Sequence, residues 1–152
     1  MPAQGTFKLN FDGSRLETGE TSIGYIIRDS DANTIALRGQ TTYQDSVIGA
    51  EAAALHEGIK EALSLNIQNI EIEGDNLCII NAVKGNWMCP WEVEMIITDS
   101  QLDLRKFQTV QISHVFREIN SVVDRLTHLG HTTTTTIPDN GIELLVLIGR
   151  ML

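Results

Sequence analysis

The period of the hydrophobic residues changes once along this chain, and this change restricts the possible folds most strongly. Between residues 7 and 43, three runs alternate apolar and polar residues, which predicts β-strands. From Ser46 to Leu65 the apolar residues recur every three or four positions, which predicts a long amphipathic helix. Short links between the first three strands favour an antiparallel meander. A helix directly after a meander favours an α/β fold in which the chain crosses back over its own sheet.

The rest of the chain continues to alternate strands with helices. Further strands are predicted over 69–73 and 109–115, and further helices over 76–84, 90–105 and 121–129. The order βββαβααβα predicts a mixed five-stranded sheet with helices packed on it. A five-threonine run at 132–136 is predicted to be a linker to an apolar segment. We expect one domain over 1–131, with 132–152 forming this linker and an apolar segment that packs on the same domain.

Length and composition exclude several classes of protein. The 152 residues, 42% of them hydrophobic, suffice for one domain with its own core. The most apolar stretch, 142–152, is about half the length of a membrane span, and the N-terminus lacks the features of a signal peptide. Cys78 and Cys89 are too few for a disulfide framework and are not spaced as zinc ligands. We therefore expect an intracellular protein, cytoplasmic or nuclear, with no membrane partner.

Four acidic residues lie where the predicted elements would bring them together. Asp12 is placed at the end of the first strand, Asp75 closes the fourth, and Glu51 and Asp124 lie on helices. If the first and fourth strands are neighbours, Asp12 and Asp75 end side by side, about 4.8 Å apart. Two carboxylates this close repel each other unless a hard cation such as Mg²⁺ holds them. A cluster of three or four carboxylates can hold two such ions, about 4 Å apart.

Each of these acidic residues also has a structural explanation. Asp12 precedes a glycine, and Asp-Gly pairs are common in hairpin turns. Asp75 is a favoured N-cap for the following helix, and Asp124 follows a serine in a capping-box-like pair. Glu51 lies at the border of an apolar stripe, where a carboxylate is partly desolvated unless its tip reaches solvent.

Four sequence blocks, in this order, resemble the ribonuclease H family, most closely the plant-type domain that is also attached to the reverse transcriptases of retroelements. The blocks are Asn10-Phe11-Asp12-Gly13-Ser14, Ala50-Glu51-Ala52-Ala53-Ala54-Leu55, Glu73-Gly74-Asp75-Asn76 and His114-Val115-Phe116-Arg117-Glu118-Ile119-Asn120, the last running on to Asp124-Arg125-Leu126. The resemblance spans residues 6 to about 130. It implies a mixed sheet in the order 3-2-1-4-5, with the first three strands antiparallel and helices on both faces.

The resemblance also implies an activity, the hydrolysis of the RNA strand of an RNA/DNA hybrid with two Mg²⁺ or Mn²⁺ ions. The implied catalytic and metal-binding residues are Asp12, Glu51, Asp75 and Asp124, and Glu51 is also expected to contact a ribose 2′-hydroxyl. His114 is the nearest candidate for the mobile catalytic histidine of many members, although strand-end histidines are often structural. The implied substrate-binding residues are Gly13, Ser14, Asn76, Arg117 and Asn120.

The charge of the chain departs from the family. Its net charge is −9, and residues 76–123 carry only Lys84, Arg105, Lys106 and Arg117 where many members insert a basic helix. We therefore expect weak and salt-dependent substrate binding, or binding supplied by other domains of a larger polyprotein. The departure leaves open a second reading, a catalytically weak or inactive module that binds nucleic acid or a protein. A 3′ exonuclease shares the fold and metals but normally has another motif order.

Two further features are interpreted as structural. Trp87 and Trp91 flank Pro90 and could stack on bases. Aromatic residues here more often anchor a helix to the core, and we expect that role. We expect a monomer rather than a homodimer.

Overall fold

The computed structural model describes residues 5–116 and 135–136. In chain order the elements are strands β1 (Phe7–Arg15), β2 (Thr21–Arg28) and β3 (Thr34–Thr42), helix α1 (Val47–Ser64), strand β4 (Asn69–Gly74), helix α2 (Leu77–Val83), a 3-10 turn (Trp91–Val93), helix α3 (Glu94–Leu104), and strands β5 (Thr109–His114) and β6 (Thr135–Thr136). The predicted helix over 121–129 and the apolar segment at 142–152 lie outside the described residues.

The strands form one mixed sheet in the order β5-β4-β1-β2-β3-β6. β1, β2 and β3 pair antiparallel, whereas β4 pairs in parallel with both β1 and β5. The predicted order 3-2-1-4-5 is therefore confirmed. Within the stretch predicted to be a linker, Thr135 and Thr136 form a short sixth strand opposite Gly39 and Arg38 of β3. Threonine has a high β-propensity, which favours this pairing at the sheet edge.

The hydrophobic core lies between the sheet and the helices. Leu9 and Phe11 of β1 point towards α1, and both are fully buried. Gly58 lets α1 approach, since a Cβ at Gly58 would come within 2.7 Å of Leu9 Cδ1. The described helices contact one another and the sheet and so form one layer. Helices are predicted on both faces of the sheet, and a helix on the other face would lie outside the described residues.

Helix α3 begins later than predicted. A helix is predicted from Pro90, but the chain first makes the 3-10 turn, in which the N–H of Val93 donates to the Pro90 carbonyl at 3.0 Å. Such turns are common at helix N-termini. The buried Val93 anchors this turn, while Trp87 is 50% and Trp91 84% exposed. The prediction that the tryptophans anchor the helix is therefore wrong.

Two further features concern the helices. Gln101 of α3 donates from Nε2 to the carbonyl oxygens of Ala82 and Val83, at 3.3 Å each, and so satisfies carbonyls at the end of α2. Among residues 5–116 and 135–136, no helix is both long and apolar enough to cross a membrane.

Candidate active site

Asp12 and Asp75 lie side by side because β1 and β4 pair in parallel. Phe11 is the register partner of Gly74, and the residue that follows each of them is an aspartate. Parallel strands run in the same direction, so both carboxylates leave the sheet at the same level. The predicted neighbourhood of these two residues is confirmed.

Asp12 lies within its strand, which corrects its predicted position at the strand end. β1 continues to Arg15, and Asp12 pairs with Gly24 of β2. The hairpin turn comes later, where the N–H of Gly19 donates to the Leu16 carbonyl at 2.9 Å. The hairpin-turn explanation of Asp12 is therefore wrong.

Asp75 is not the N-cap of α2. The side-chain oxygen of the next residue, Asn76, accepts the N–H of Ile79 at 3.1 Å and caps the helix. Capping therefore does not explain an aspartate at position 75. A substrate-binding role for Asn76 stays a prediction, because its side-chain oxygen already serves the helix.

Glu51 reaches the two aspartates from the first turns of α1. Ser46 caps this helix, and its Oγ accepts the N–H of Gly49 at 3.1 Å. Gly13 of β1 lies directly against the helix backbone, since a Cβ there would be 2.3 Å from the carbonyl carbon of Ala50 and from Glu51 N. Only glycine fits so close an approach. Gly13 therefore has a packing role, and its predicted role in substrate binding stays a prediction.

The three carboxylates form a compact oxygen cluster. One carboxylate oxygen from each of Asp12, Glu51 and Asp75 lies within 4.8 Å of the other two. Asp12 is 1% and Glu51 3% exposed, so Glu51 does not reach solvent and the snorkelling explanation is wrong. Within the described residues, Glu51 Oε2 is buried without a hydrogen-bond partner. A buried, unsatisfied carboxylate oxygen is costly, and hard divalent cations take such oxygens as ligands. The residues therefore fit a divalent cation.

The electrostatics of the cluster also indicate a site for a divalent cation. Burial raises the pKa of Glu51 well above its usual 4.5, and the charge of Asp12 raises it further. A hydrogen bond with Asp12 and the charge of Asp75 act in the same direction, whereas the N–H of Gly13 donates to Glu51 and lowers its pKa. Without a cation the cluster thus favours a proton on Glu51. A divalent cation would favour the charged carboxylate instead.

His114 lies beside this cluster, at the end of β5. Its Nε2 is 3.1 Å from the carbonyl oxygen of Asp75, and its ring lies edge-on to Phe116 with 6.2 Å between the centroids. In the Nε2–H tautomer, His114 donates to that carbonyl and ties β5 to the segment that carries Asp75. A catalytic role for His114 stays a prediction.

The remaining predicted site residues divide into two groups. Ser14 follows the cluster on β1, where it pairs with Ser22 of β2. Asp124, Arg117 and Asn120 lie outside the described residues.

The sequence did not predict a polar clamp, formed by Lys8, Asn10 and Glu73, that lies on β1 and β4 just before the aspartates. Glu73 accepts from Lys8 Nζ at 2.9 Å and from Asn10 Nδ2 at 3.1 Å. Asn10 and Glu73 are register partners on β1 and β4, and each lies two residues before an aspartate of the cluster. The clamp therefore fixes the two strands just where they present their carboxylates. The signal was the polar alternation of Lys8, Asn10 and Asp12 along β1.

Comparison with known proteins agrees with this fold. Residues 10–130 match the family described as reverse transcriptase-like. No curated protein matches the chain. The chain is similar to RNase H1 from the halophilic archaeon Halobacterium salinarum NRC-1, with 23% identity, a TM-score of 0.78, and coverage of 82% of this chain and 96% of that one.

Two other solved structures share this architecture. For the N-terminal RNase H domain of Rv2228c from Mycobacterium tuberculosis, the identity is 18%, the TM-score 0.79 and the coverage 84% and 94%. For LC11-RNase H1 in complex with an RNA/DNA hybrid, the identity is 19% and the TM-score 0.73, with coverage of 83% of this chain and 96% of that one. At such identities the similarity establishes the fold, and placement in a plant-type branch stays a prediction. The chain has the ribonuclease H fold, and it belongs to the reverse transcriptase-like family.

Proposed function

We propose that the chain is a ribonuclease H that hydrolyses the RNA strand of RNA/DNA hybrids. The observation that carries this proposal is the cluster of Asp12, Glu51 and Asp75, in which one carboxylate oxygen of each residue lies within 4.8 Å of the other two. The turn, cap and snorkelling explanations do not account for these three residues. The structure of LC11-RNase H1 with an RNA/DNA hybrid supports the choice of substrate.

In this proposal Asp12, Glu51 and Asp75 hold Mg²⁺ or Mn²⁺, with Asp124 as a fourth ligand. Two such ions, when bound, would supply an activated water and stabilise the charge on the departing 3′ oxygen. The protein itself positions the ligands. Pairing of β1 with β4 fixes the two aspartates, and the N–H of Gly13 orients Glu51. The burial of Asp12 and Glu51 strengthens the electrostatic interactions of their carboxylates.

The substrate is proposed to contact Gly13, Ser14, Asn76, Arg117 and Asn120, with His114 as a further catalytic residue. Several cations are already engaged by acids, including Lys8 with Glu73 and Lys106 with Asp103. We therefore propose weak, salt-dependent binding by the isolated domain, assisted in a larger polyprotein by other domains. The free thiols of Cys78 and Cys89 support a reducing compartment, cytoplasm or nucleus. We propose a monomer.

The net charge of −9 favours one alternative, a module with little or no activity that binds nucleic acid or a protein. Such a module would retain the fold and the carboxylates without cutting the hybrid. A single assay distinguishes the nuclease from the binding module.

That assay uses the purified chain at low salt with a hybrid whose RNA strand is labelled. Mg²⁺ and Mn²⁺ are tested separately, with EDTA as the metal-free control. We expect cleavage of the RNA strand alone, lost in Asp75→Asn and kept in Asp31→Asn, a matched change at an exposed turn position. Hybrid binding without cleavage by the folded wild type would favour the module, and full activity of Asp75→Asn would refute the proposed site.

A further inference from the structure

An exposed tryptophan stands on an anchored turn beside the beginning of α1. Trp91 is 84% exposed, whereas Val93 of the same 3-10 turn is completely buried. The backbone that carries the indole is therefore fixed, while the ring faces solvent. The ring forms one wall of a cavity of about 200 Å³, whose other lining residues are Gln44, Asp45, Ser46, Gly49 and Glu92.

The wall opposite Trp91 is the beginning of α1 and the segment before it. The backbone N–H of Gln44 donates to Thr21 Oγ1 at 3.2 Å, which ties this segment to β2. The side chain of Gln44 packs on Gly49, where a Cβ would lie 3.0 Å from Gln44 Oε1. Ser46 caps the helix. A wall held in this way loses little conformational entropy when a ligand binds.

The side chains that line the cavity indicate which class of ligand it would bind. The described residues that line it offer an aromatic face, an amide and two carboxylates, but no lysine or arginine. A phosphate group is disfavoured, because the two carboxylates outweigh the partial positive charge at the N-terminus of α1. A flat, neutral ring with hydrogen-bond donors on its edge is favoured, and nucleobases have this form and stack on aromatic side chains. Guanine presents two adjacent N–H donors that match the two oxygens of one carboxylate, such as Asp45.

The cavity and the acidic cluster both use the first turns of α1. Gly49 lines the cavity, and Glu51 follows two residues later, about 3 Å further along the helix axis. A strand held at the cluster and a base held in the cavity would therefore contact the same end of this helix. A second cavity, of about 440 Å³, shares Gln44 and Asp45 with the first and includes the exposed Tyr43, so the surface continues in that direction.

We propose that the Trp91 cavity binds one unpaired base of the RNA strand, stacked on the indole, and that it prefers guanine. This inference rests on the proposed ribonuclease function and adds a determinant of which sites are cut. Stacking needs no positive charge, so an acidic chain gains a contact with RNA that salt screens weakly. Hybrids with a single-stranded RNA flank are the preferred substrates.

The test uses the two tryptophans of the chain. In the Trp87→Phe variant, Trp91 is the only tryptophan, so its fluorescence reports on the cavity. The pentamers UUGUU and UUUUU are titrated in EDTA, which prevents cleavage. We expect saturable quenching by UUGUU and binding about tenfold weaker by UUUUU, which lacks the paired hydrogen bonds. Equal affinity for the two pentamers, or quenching that does not saturate, would overturn the proposal.

Labelled RNA makes the Trp91 variants measurable by anisotropy. Trp91→Leu is expected to lose pentamer binding, Trp91→Phe to retain part of it, and Asp45→Asn to lose the preference for guanine. Trp87→Phe is the matched control and is expected to bind like wild type. Unchanged binding by Trp91→Leu would overturn the proposal. It would also be overturned if the wild type bound no RNA and instead formed a concentration-dependent dimer that Trp91→Leu disrupts.

The two proposals fail separately. Asp75→Asn removes cleavage and keeps pentamer binding, whereas Trp91→Leu removes pentamer binding and keeps the response to divalent ions. A wild type that binds pentamers through Trp91 but cuts no hybrid would refute the nuclease alone. A wild type that cuts hybrids with equal efficiency with and without an unpaired flank would refute the role of the cavity alone.

Discussion

Gly13 of β1 donates its backbone N–H to the carboxylate of Glu51, and the two residues meet only because Gly13 has no side chain. A Cβ at this position would lie 2.3 Å from the backbone nitrogen of Glu51. One residue thus sets the distance between helix and sheet and orients a carboxylate of the acidic cluster.

Gly13→Ala is expected to destabilise the protein and to weaken metal binding. The added methyl group meets backbone atoms that cannot rotate away, and overpacking of this kind costs roughly 1–3 kcal/mol. Urea denaturation measures the loss, and the rise in melting temperature with Mg²⁺ reports on the site.

Gly58→Ala is the matched control for this substitution. Its Cβ would meet the tip of the Leu9 side chain, which can shift, and it lies away from the cluster. We expect a smaller loss of stability and an unchanged response to Mg²⁺. Equal effects of the two substitutions on the Mg²⁺ response would contradict the role given to Gly13.

Asp75→Asn and Asn76→Ala should separate the site from the helix cap. Asp75→Asn relieves carboxylate repulsion, so the metal-free variant should be as stable as wild type or more stable, with a smaller thermal shift in Mg²⁺. Asn76→Ala removes the cap of α2 and should cost about 1 kcal/mol while keeping the Mg²⁺ response. Thermal unfolding with and without Mg²⁺ distinguishes the two variants. If Asn76→Ala lost the Mg²⁺ response and Asp75→Asn kept it, Asn76 would belong to the site and Asp75 to the helix cap.

Glu51 should make the metal-free protein less stable as the pH rises. Burial and the charge of Asp12 raise the pKa of Glu51 above its usual 4.5 in the folded state. Between the usual and the raised pKa the folded protein binds more protons than the unfolded protein, so stability falls as pH increases through this window. Below pH 4.5 the effect of this group disappears.

Glu51→Gln isolates this effect, because glutamine is isosteric and does not titrate. In EDTA the variant should be more stable than wild type at neutral pH, and the difference should vanish below the usual pKa of 4.5. Thermal unfolding from acid to neutral pH measures the difference between the two proteins. A difference that is constant across the pH range would show that ionisation of Glu51 is not its source.

Glu73→Ala should destabilise the protein more than Lys8→Met. The first change removes both the ion pair with Lys8 and a hydrogen-bond acceptor of the buried Asn10 amide, and the loss of a buried hydrogen bond costs about 1–3 kcal/mol. The second removes only a partly exposed ion pair, which contributes less than about 1 kcal/mol. Urea denaturation compares the variants, and equal losses would mean that the Asn10 contact contributes little.

The order of elements and the identity of the clustered acids were readable from the sequence, because both depend on local patterns. Periodicity places Glu51 on a helix and Asp75 after a strand, and those positions are confirmed. The position of Asp12 was misjudged because the length of β1 depends on its pairing with β2, which no local pattern records.

Other details depend on contacts between distant segments. The burial of Glu51 follows from the close approach at Gly13, and neither segment alone reveals it. The cap of α2 differs from the prediction by one residue, since both Asp75 and Asn76 are good capping residues. The exposure of Trp91 follows from Val93, which fills the core in its place.

The parallel pairing of β1 with β4 has a consequence for the time course of folding. The meander of β1, β2 and β3 closes short loops, whereas Asn10 and Glu73 meet across 63 positions of the chain. Long loops close slowly because more chain entropy is lost before any contact forms. We therefore predict that the acidic cluster assembles late, after the transition state for folding. Divalent ions should accordingly lengthen the lifetime of the folded state and leave the refolding rate almost unchanged.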